Sequence, residues 1–239
     1  MPSVKTIVLT VFLPLIVLAG PLKAQDVLQR GMKAYKVGAY GTALKLLRPL
    51  ARQQNSAAER QLSVMYFLGH GVRVDTKQAL NWQKRAALHG NIDAQVSMGK
   101  MHQNGLYLSQ SFPKAAKWFR LASEPGELEA QVYLGNLYER GLGVQKNHLN
   151  ALRWYKAAAE QGHSGGQMNL GIAYSEGVII SKDNVLAYMW LEVADRSDKQ
   201  RPAWLVKKAL RTLLSQIDIA KATRLADECI DKNFKNCGL

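Results

Sequence analysis

The chain predicts an all-α solenoid of helix-turn-helix repeats, closed at its C-terminal end by a helical cap. Three observations predict it. One pattern returns every 36 residues, starting at Ala58, Ala94, Ala130 and Gly166. Its columns keep their residue types without an insertion or deletion. Each copy also holds a helix-stopping glycine followed by a helix-starting polar residue. A fixed period of this size marks units that bury their apolar faces only by stacking on neighbours.

The columns justify each element in order. Leu62, Met98, Leu134 and Leu170 share one column, and Ser63, Gly99, Gly135 and Gly171 the next. Tyr66, His102, Tyr138 and Tyr174 follow one turn on. Ala130, Leu134 and Tyr138 are four apart, so they form one apolar stripe on a first helix. The small residue beside the leucine lets a partner helix come close. Gly69, Gly105, Gly141 and Gly177 stand where the first helix must stop, because glycine takes the left-handed cap conformation cheaply. Asp75, Ser111, Asn147 and Asp183 are N-cap residues whose side-chain oxygens accept from free backbone N–H groups. The second helix then shows Ala79, Ala115, Ala151 and Ala187, the tryptophans Trp82, Trp118, Trp154 and Trp190, and Ala86, Ala122, Ala158 and Ala194, with Ala151, Trp154 or Tyr155, and Ala158 on one face. Gly90, Gly126 and Gly162 end it in three copies, and Asp198 replaces glycine in the last.

Helix, turn, helix at this period resembles the tetratricopeptide superfamily. The longer period, the loop Gly141-Leu142-Gly143-Val144 and the run Ala151 to Ala159 resemble its Sel-one-like repeat (SLR) branch. The second loop glycine is kept at Gly71 and Gly143 but is Tyr107 and Ile179 in the other copies. The resemblance implies a right-handed superhelix. Repeats are expected over 58–93, 94–129, 130–165 and 166–198.

Flanking segments complete the plan. Residues 1–24 read as a secretory signal: Lys5, an apolar run from Ile7 to Leu18, then Gly20 to Ala24, with cleavage after Ala24. That run is shorter than the ~20 residues a bilayer span needs. Leu22 is larger than is usual before a cleavage site, and the alternative is an uncleaved anchor. No cysteine lies nearby, which argues against a lipid-modified N-terminus. Residues 25–57 read as a degenerate opening repeat, with Ala34-Tyr35 and Gly38 in a tetratricopeptide-like pattern and a stripe of Leu44, Leu47 and Leu50. After Trp190 the pattern ends. Asp195 to Pro202 reads as a connection, and residues 199–239 as the cap. One cap helix carries Val206, Ala209, Leu210 and Leu213. The other carries Ile219, Ala222, Leu225, Ala226, Cys229 and Ile230, with Ser215 and Asp218 as a capping box.

Composition bounds the function. The chain has 32 basic and 18 acidic residues. The repeats are near balance, with 15 basic and 13 acidic, whereas residues 25–57 hold six and one and residues 199–239 nine and four. The basicity therefore belongs to the flanks. For an exported chain this excludes nucleic acid as the expected partner and fits an acidic protein or an anionic envelope surface. Lys84, Arg120 and Lys156 share a column on the second helix, with Lys117 and Arg153 on the same face; this reads as a solvated outer side.

Candidate chemistry is sparse. Gly162-His163-Ser164-Gly165-Gly166 matches the hydrolase pattern G-x-S-x-G, which needs a strand, a strained turn and a helix. Here the repeat itself accounts for both outer glycines. Of the histidines, His102 takes the tyrosine column and reads as a packed core residue. His70, His89, His148 and His163 sit in loops or turns without metal-ligand spacing. The tryptophans read as core. No catalytic, cofactor-binding or metal-ligating set emerges. A cysteine-rich SLR branch is associated with penicillin binding and beta-lactamase activity. Its cysteine pairs are missing between residues 58 and 198 here, so a cell-wall-active enzyme is the alternative and not the lead. The leading expectation is a non-catalytic scaffold, periplasmic or secreted, that binds a protein or peptide.

Two site expectations follow. Cys229 and Cys237 are the only cysteines, and an even count in an exported chain favours a disulfide. The alternative is a buried thiol at Cys229 and an exposed one at Cys237. In the tetratricopeptide arrangement first helices line the concave groove. The groove columns are then Arg60, Val96, Val132 and Met168; Val64, Lys100, Asn136 and Ile172; and Phe67, Gln103, Glu139 and Ser175. Such a mixed apolar and charged groove suits an extended or helical peptide.

Overall fold

A computed structural model describes residues 19–178, 180–198 and 203–237. Most of the expected signal, and Ile179 and Pro202, lie outside these residues. Among the described residues every regular element is an α-helix. They are α1 (Ala19–Lys36), α2 (Tyr40–Arg52), α3 (Ser56–Leu68), α4 (Thr76–Leu88), α5 (Ile92–Asn104), α6 (Phe112–Ser123), α7 (Leu128–Arg140), α8 (His148–Ala159), α9 (Ser164–Glu176), α10 (Asn184–Ser197), α11 (Trp204–Arg211) and α12 (Gln216–Asp231). The chain forms two compact units, one ending at Ala79 and the other starting at Leu80.

In the first unit α1 and α2 form a hairpin whose core includes Ala43, Leu44, Leu47, Leu50 and Ala51. Gly31 is buried where a Cβ would come within 2.7 Å of Leu47 Cδ2, so the two helices meet at a residue without a side chain. His70, in the loop after α3, stacks on Tyr40 at 4.3 Å between ring centres and contacts the Tyr35 hydroxyl through Nδ1 at 3.1 Å.

The repeat grammar is visible in backbone geometry. Gly69, Gly105, Gly141 and Gly177 all take φ near +70° and cap α3, α5, α7 and α9. Asp75, Ser111, Asn147 and Asp183 each accept a backbone N–H at the start of the second helix. Their own N–H groups donate back to the carbonyls of Tyr66, His102, Tyr138 and Tyr174. That bond uses only backbone, which is why His102 replaces tyrosine without altering the turn. Tyr107 stands where Gly143 and Gly71 stand, and it keeps the loop shape by taking φ +60° itself.

In the second unit each repeat closes on its glycine column. A Cβ on Gly99 would lie 2.5 Å from the Phe119 ring, and one on Gly135 2.5 Å from the Tyr155 ring; Leu191 crowds Gly171 in the same way. The residue after each tryptophan, and not the tryptophan, is therefore the centre of the packing stripe. Phe119, Tyr155 and Leu191 are buried, as are Trp118 and Trp190, but Trp82 and Trp154 are only half-buried. Helical spacing alone could not separate two adjacent aromatic positions that differ by 100° around the axis.

Successive repeats are joined by a column that the periodicity contains but that only the packing explains. Gln95, Gln131 and Gln167 are buried. Each donates through Nε2 to a carbonyl near the end of the preceding second helix, on Ala87, Ser123 and Ala159. Each of those carbonyls also accepts the N–H of the glycine that ends the helix, Gly90, Gly126 or Gly162, so the glutamine adds a second donor from the next repeat. The first helices also begin two residues ahead of Ala58, Ala94, Ala130 and Gly166. Asn55 and Asn91 cap α3 and α5, and the His163 ring caps α9 by accepting from the Gly166 N–H through Nδ1.

The cap packs α12 and α11 on α10. Tyr188, Trp190, Leu191 and Val193 meet Leu210, Ala222, Ala226 and Cys229 in one core. Ser215 and Asp218 form the expected capping box. The α11 stripe is shifted from the expected one: Val206, Leu210 and Leu214 pack inward, while Ala209 and Leu213 are exposed. The helix stops at Arg211, so Leu213 leaves the helical spacing that would have buried it. Lys207 anchors α11 through Asp195 at 2.6 Å and Glu192 at 2.7 Å. Burial alone would lower its pKa, and the hydrogen bonds to these two carboxylates hold it above the usual lysine value.

Cys229 and Cys237 are placed to bond, with Cα atoms 5.0 Å apart. The link draws the tail back over the core, and Phe234 lies against Gly162, where a Cβ would come within 2.9 Å of the ring. Reduction is expected to cost about 2.5 kcal/mol from the freed loop in the unfolded chain. Chemical unfolding with and without reductant checks this; superimposable curves would show that the link contributes nothing.

Candidate functional site

The expected groove columns fall on the first helices, but they are not uniformly open. In the first unit Arg60, Val64 and Phe67 are half-buried on α3. In the second unit Val96 and Val132 are 7% and 8% exposed, so they are core and not lining. Val96 packs with Ala115, Phe119, Ala130 and Leu134. A position two residues before the leucine column faces the neighbouring repeat as much as it faces solvent. Lys100, Gln103, Asn136, Glu139, Met168, Ile172 and Ser175 are half-buried.

The polar members are tied to one another. Lys100 Nζ meets Glu129 Oε1 at 2.7 Å and lies 5.4 Å from the centre of the Tyr133 ring. The Tyr155 hydroxyl reaches from α8 to Asn136 Oδ1 at 2.7 Å and Glu139 Oε2 at 2.9 Å. Asn169 Nδ2 donates to the same Asn136 oxygen at 3.1 Å. A line of hydrogen bonds thus crosses α7, α8 and α9 along the edge of the proposed surface. Burial, then the charge and hydrogen bond of Glu139 and the charge of Glu176, hold the Tyr155 phenol far above the usual tyrosine pKa. It remains a donor throughout the physiological range. No sequence signal marked this line, because Asn136, Glu139 and Asn169 belong to three different columns.

The basic column on the second helices does more than meet water. Arg120 donates to the Tyr138 hydroxyl at 2.9 Å, and Arg48 to the Tyr66 hydroxyl at 3.4 Å, each pair 18 residues apart. The half-buried Trp154 walls a cavity of about 330 Å³ with Tyr138, Asn150, Arg153 and Ala157. A second hollow of about 200 Å³ includes Lys117, Arg120, Gly143 and Val144. Arg153 and Lys117 are exposed there, as expected.

The G-x-S-x-G run opens α9 in place of a strand-to-helix turn. Ser164 Oγ donates to Asp198 Oδ2 at 3.4 Å, and the neighbouring His163 ring is engaged as the helix cap. The serine thus meets a carboxylate at the start of a helix, and the strand and strained turn that the motif needs are replaced by a helix-to-helix connection. His102 is buried, with Nδ1 3.3 Å from the Ser109 carbonyl oxygen. Among the described residues, no group of three His, Cys, Asp or Glu side chains could hold a metal ion. Among them, too, no helix is long and apolar enough to cross a membrane.

Comparison with known proteins agrees with this geometry. The family model described as Sel1 repeat matches four times, over residues 56–91, 92–126, 128–163 and 164–194, the first residues falling at the starts of α3, α5, α7 and α9. The crystal structure of a Sel1 repeat protein from Oxalobacter formigenes is similar at 30% identity and TM-score 0.68, covering 75% of this chain and 74% of that one. A uropathogenic Escherichia coli protein, described as a protective antigen displaying an SLR fold, is 24% identical with TM-score 0.59 over 90% of this chain. The chain spans 54% of that protein, and the likeness shows the fold. No curated protein sequence matches the chain. With four matches in unbroken register and a relative at this identity, the chain belongs to the Sel1 repeat family, whose members are generally non-catalytic repeat scaffolds that mediate protein interactions.

Proposed function

We propose that this protein is an exported Sel1 repeat scaffold that holds a protein or peptide partner in the bacterial envelope. The observation that carries the reading is the set of half-buried side chains on successive first helices: Lys100 and Gln103 on α5, Asn136 and Glu139 on α7, Ile172 and Ser175 on α9. They recur at the repeat period, so a partner laid across the helices meets equivalent positions in turn. Val96 and Val132 are left out of this surface. Arg60, Val64 and Phe67 are the equivalent positions on α3.

Glu139 accepts the buried Tyr155 hydroxyl, so its replacement would disturb packing. The test therefore substitutes Lys100, Gln103, Ile172 and Ser175, all in the second unit, by alanine in one variant. Helical content is expected to survive, and affinity for a partner captured by crosslinking in the native host to fall at least tenfold, ~1.4 kcal/mol. The second-helix face is the competing location, favoured by the hollows at Trp154 and Arg120. If an Arg120, Arg153 and Trp154 alanine variant abolishes binding while the first variant does not, the first-helix assignment is wrong.

Export rests on residues 1–24 and on the cysteine pair. Protein from the native host is expected to begin at Gln25. Recovery of an intact Met1 form from the cytoplasm would refute this.

A further inference from the structure

We propose that the outward face of α11 docks on an anionic lipid surface. Leu210, with Ala203, is buried beneath this helix. Trp204, Leu205 and Lys208 fall on the opposite side of its turn. Trp204 is 53% exposed and Leu205 65%. The chain that follows continues the apolar exposure, with Leu213 at 63% and Ile217 at 80%. Large apolar side chains turned to water contribute nothing to the core, and a cluster of them marks a contact surface.

Charge names the occupant. Lys207 is consumed by Glu192 and Asp195, and Arg196 by Glu192 and Asp227. Lys208 and Arg211 face no carboxylate among the described residues, and Arg211 is held in place by its Nε–H bond to the Tyr188 hydroxyl at 3.0 Å. These two cations line an open hollow of about 430 Å³ together with Trp204 and Lys207. Residues 199–239 carry nine basic residues against four acidic. An indole next to lysine and arginine heads suits the boundary between lipid headgroups and acyl chains, where one end of each side chain is dry and the other wet. A bilayer fits better than an acidic peptide because the hollow holds only one of the apolar groups, Trp204, while Leu205, Leu213 and Ile217 are exposed outside it. The inference is independent of which helices hold the protein partner.

The test uses the exported form, beginning at Gln25, with its cysteines oxidised. Vesicles of phosphatidylglycerol in phosphatidylcholine are compared with phosphatidylcholine alone, with and without brominated acyl chains. Sedimentation with the anionic vesicles is expected, weakening as salt rises. The double variant Lys208→Ala, Arg211→Ala is expected to lower the partition about thirtyfold, taking ~1 kcal/mol per cation near an anionic surface. Tryptophan quenching by brominated lipid is expected in the wild type and lost in Trp204→Phe. Both variants change exposed side chains, and circular dichroism verifies their folding. Equal quenching in Trp204→Phe overturns the proposal. So does a partition unchanged by the double variant, or capture of an acidic peptide in place of vesicles.

Discussion

Gly143→Ala is expected to destabilise the protein by about 3 kcal/mol or more. Two effects combine at this position. Gly143 sits at φ +70°, where a Cβ strains the backbone by ~1–2 kcal/mol. It also lies on the start of α6, where an added Cβ would overlap the backbone of Phe112 and Pro113. Backbone cannot rotate aside as a side chain can, so the overlap is relieved only by pulling the loop off the neighbouring repeat, at ~1–3 kcal/mol. Gly90→Ala is the control. Gly90 has φ +83° but open space around it, so only the first effect applies. Urea unfolding of the two variants measures the difference. Equal losses would mean that the close approach of the loop to α6 is unimportant for stability.

Tyr155→Ala is expected to cost about 4 kcal/mol, because a fully buried ring resting on Gly135 leaves a cavity that the backbone cannot fill. Tyr155→Phe keeps the ring and removes the hydroxyl. It should cost ~1–2 kcal/mol, since Asn136 and Glu139 lose a buried donor. The two variants also differ from wild type in alkali. The folded-state pKa of Tyr155 is raised above the ordinary value of 10.0, first by burial and then by Glu139. The unfolded chain therefore releases this proton first as pH rises. The stabilisation is fully present below pH about 10 and is lost progressively above it. Unfolding measured from neutral pH upward should show a steeper loss for wild type than for Tyr155→Phe. Parallel profiles would place the phenol in contact with water.

Much of the repeat was legible because its signals are local. A glycine at the end of a helix, or an aspartate at the start of one, acts within four residues of itself, and identical local needs recur as identical letters. The column Glu59, Gln95, Gln131 and Gln167 carries no local signal, because the glutamines act on a carbonyl eight residues back in a different helix. The tryptophan column was visible, but spacing left Trp154 and Tyr155 as alternatives for the packing stripe. Trp118 and Trp190 are buried while Trp82 and Trp154 are half-exposed, and the neighbouring Phe119, Tyr155 and Leu191 fill the seam instead. Which of two adjacent aromatic residues fills a seam depends on how far the facing helix is rotated, and no spacing rule contains that angle.

The sequence by itself determined the family, the helical repeat and its period, the turns, and the pairing of Cys229 with Cys237 as the available link. These follow from backbone chemistry and residue counting, which act along the chain. Tertiary structure alone decided which side chains remain available. It buried Val96 and Val132, joined Asn136 and Glu139 through one phenol and Asn169 to them through Asn136, turned Leu213 outward, and left Trp204 beside Lys208 and Arg211. Each of those outcomes depends on the distance and rotation between helices far apart in the chain, a geometry that close packing sets and that no single segment encodes.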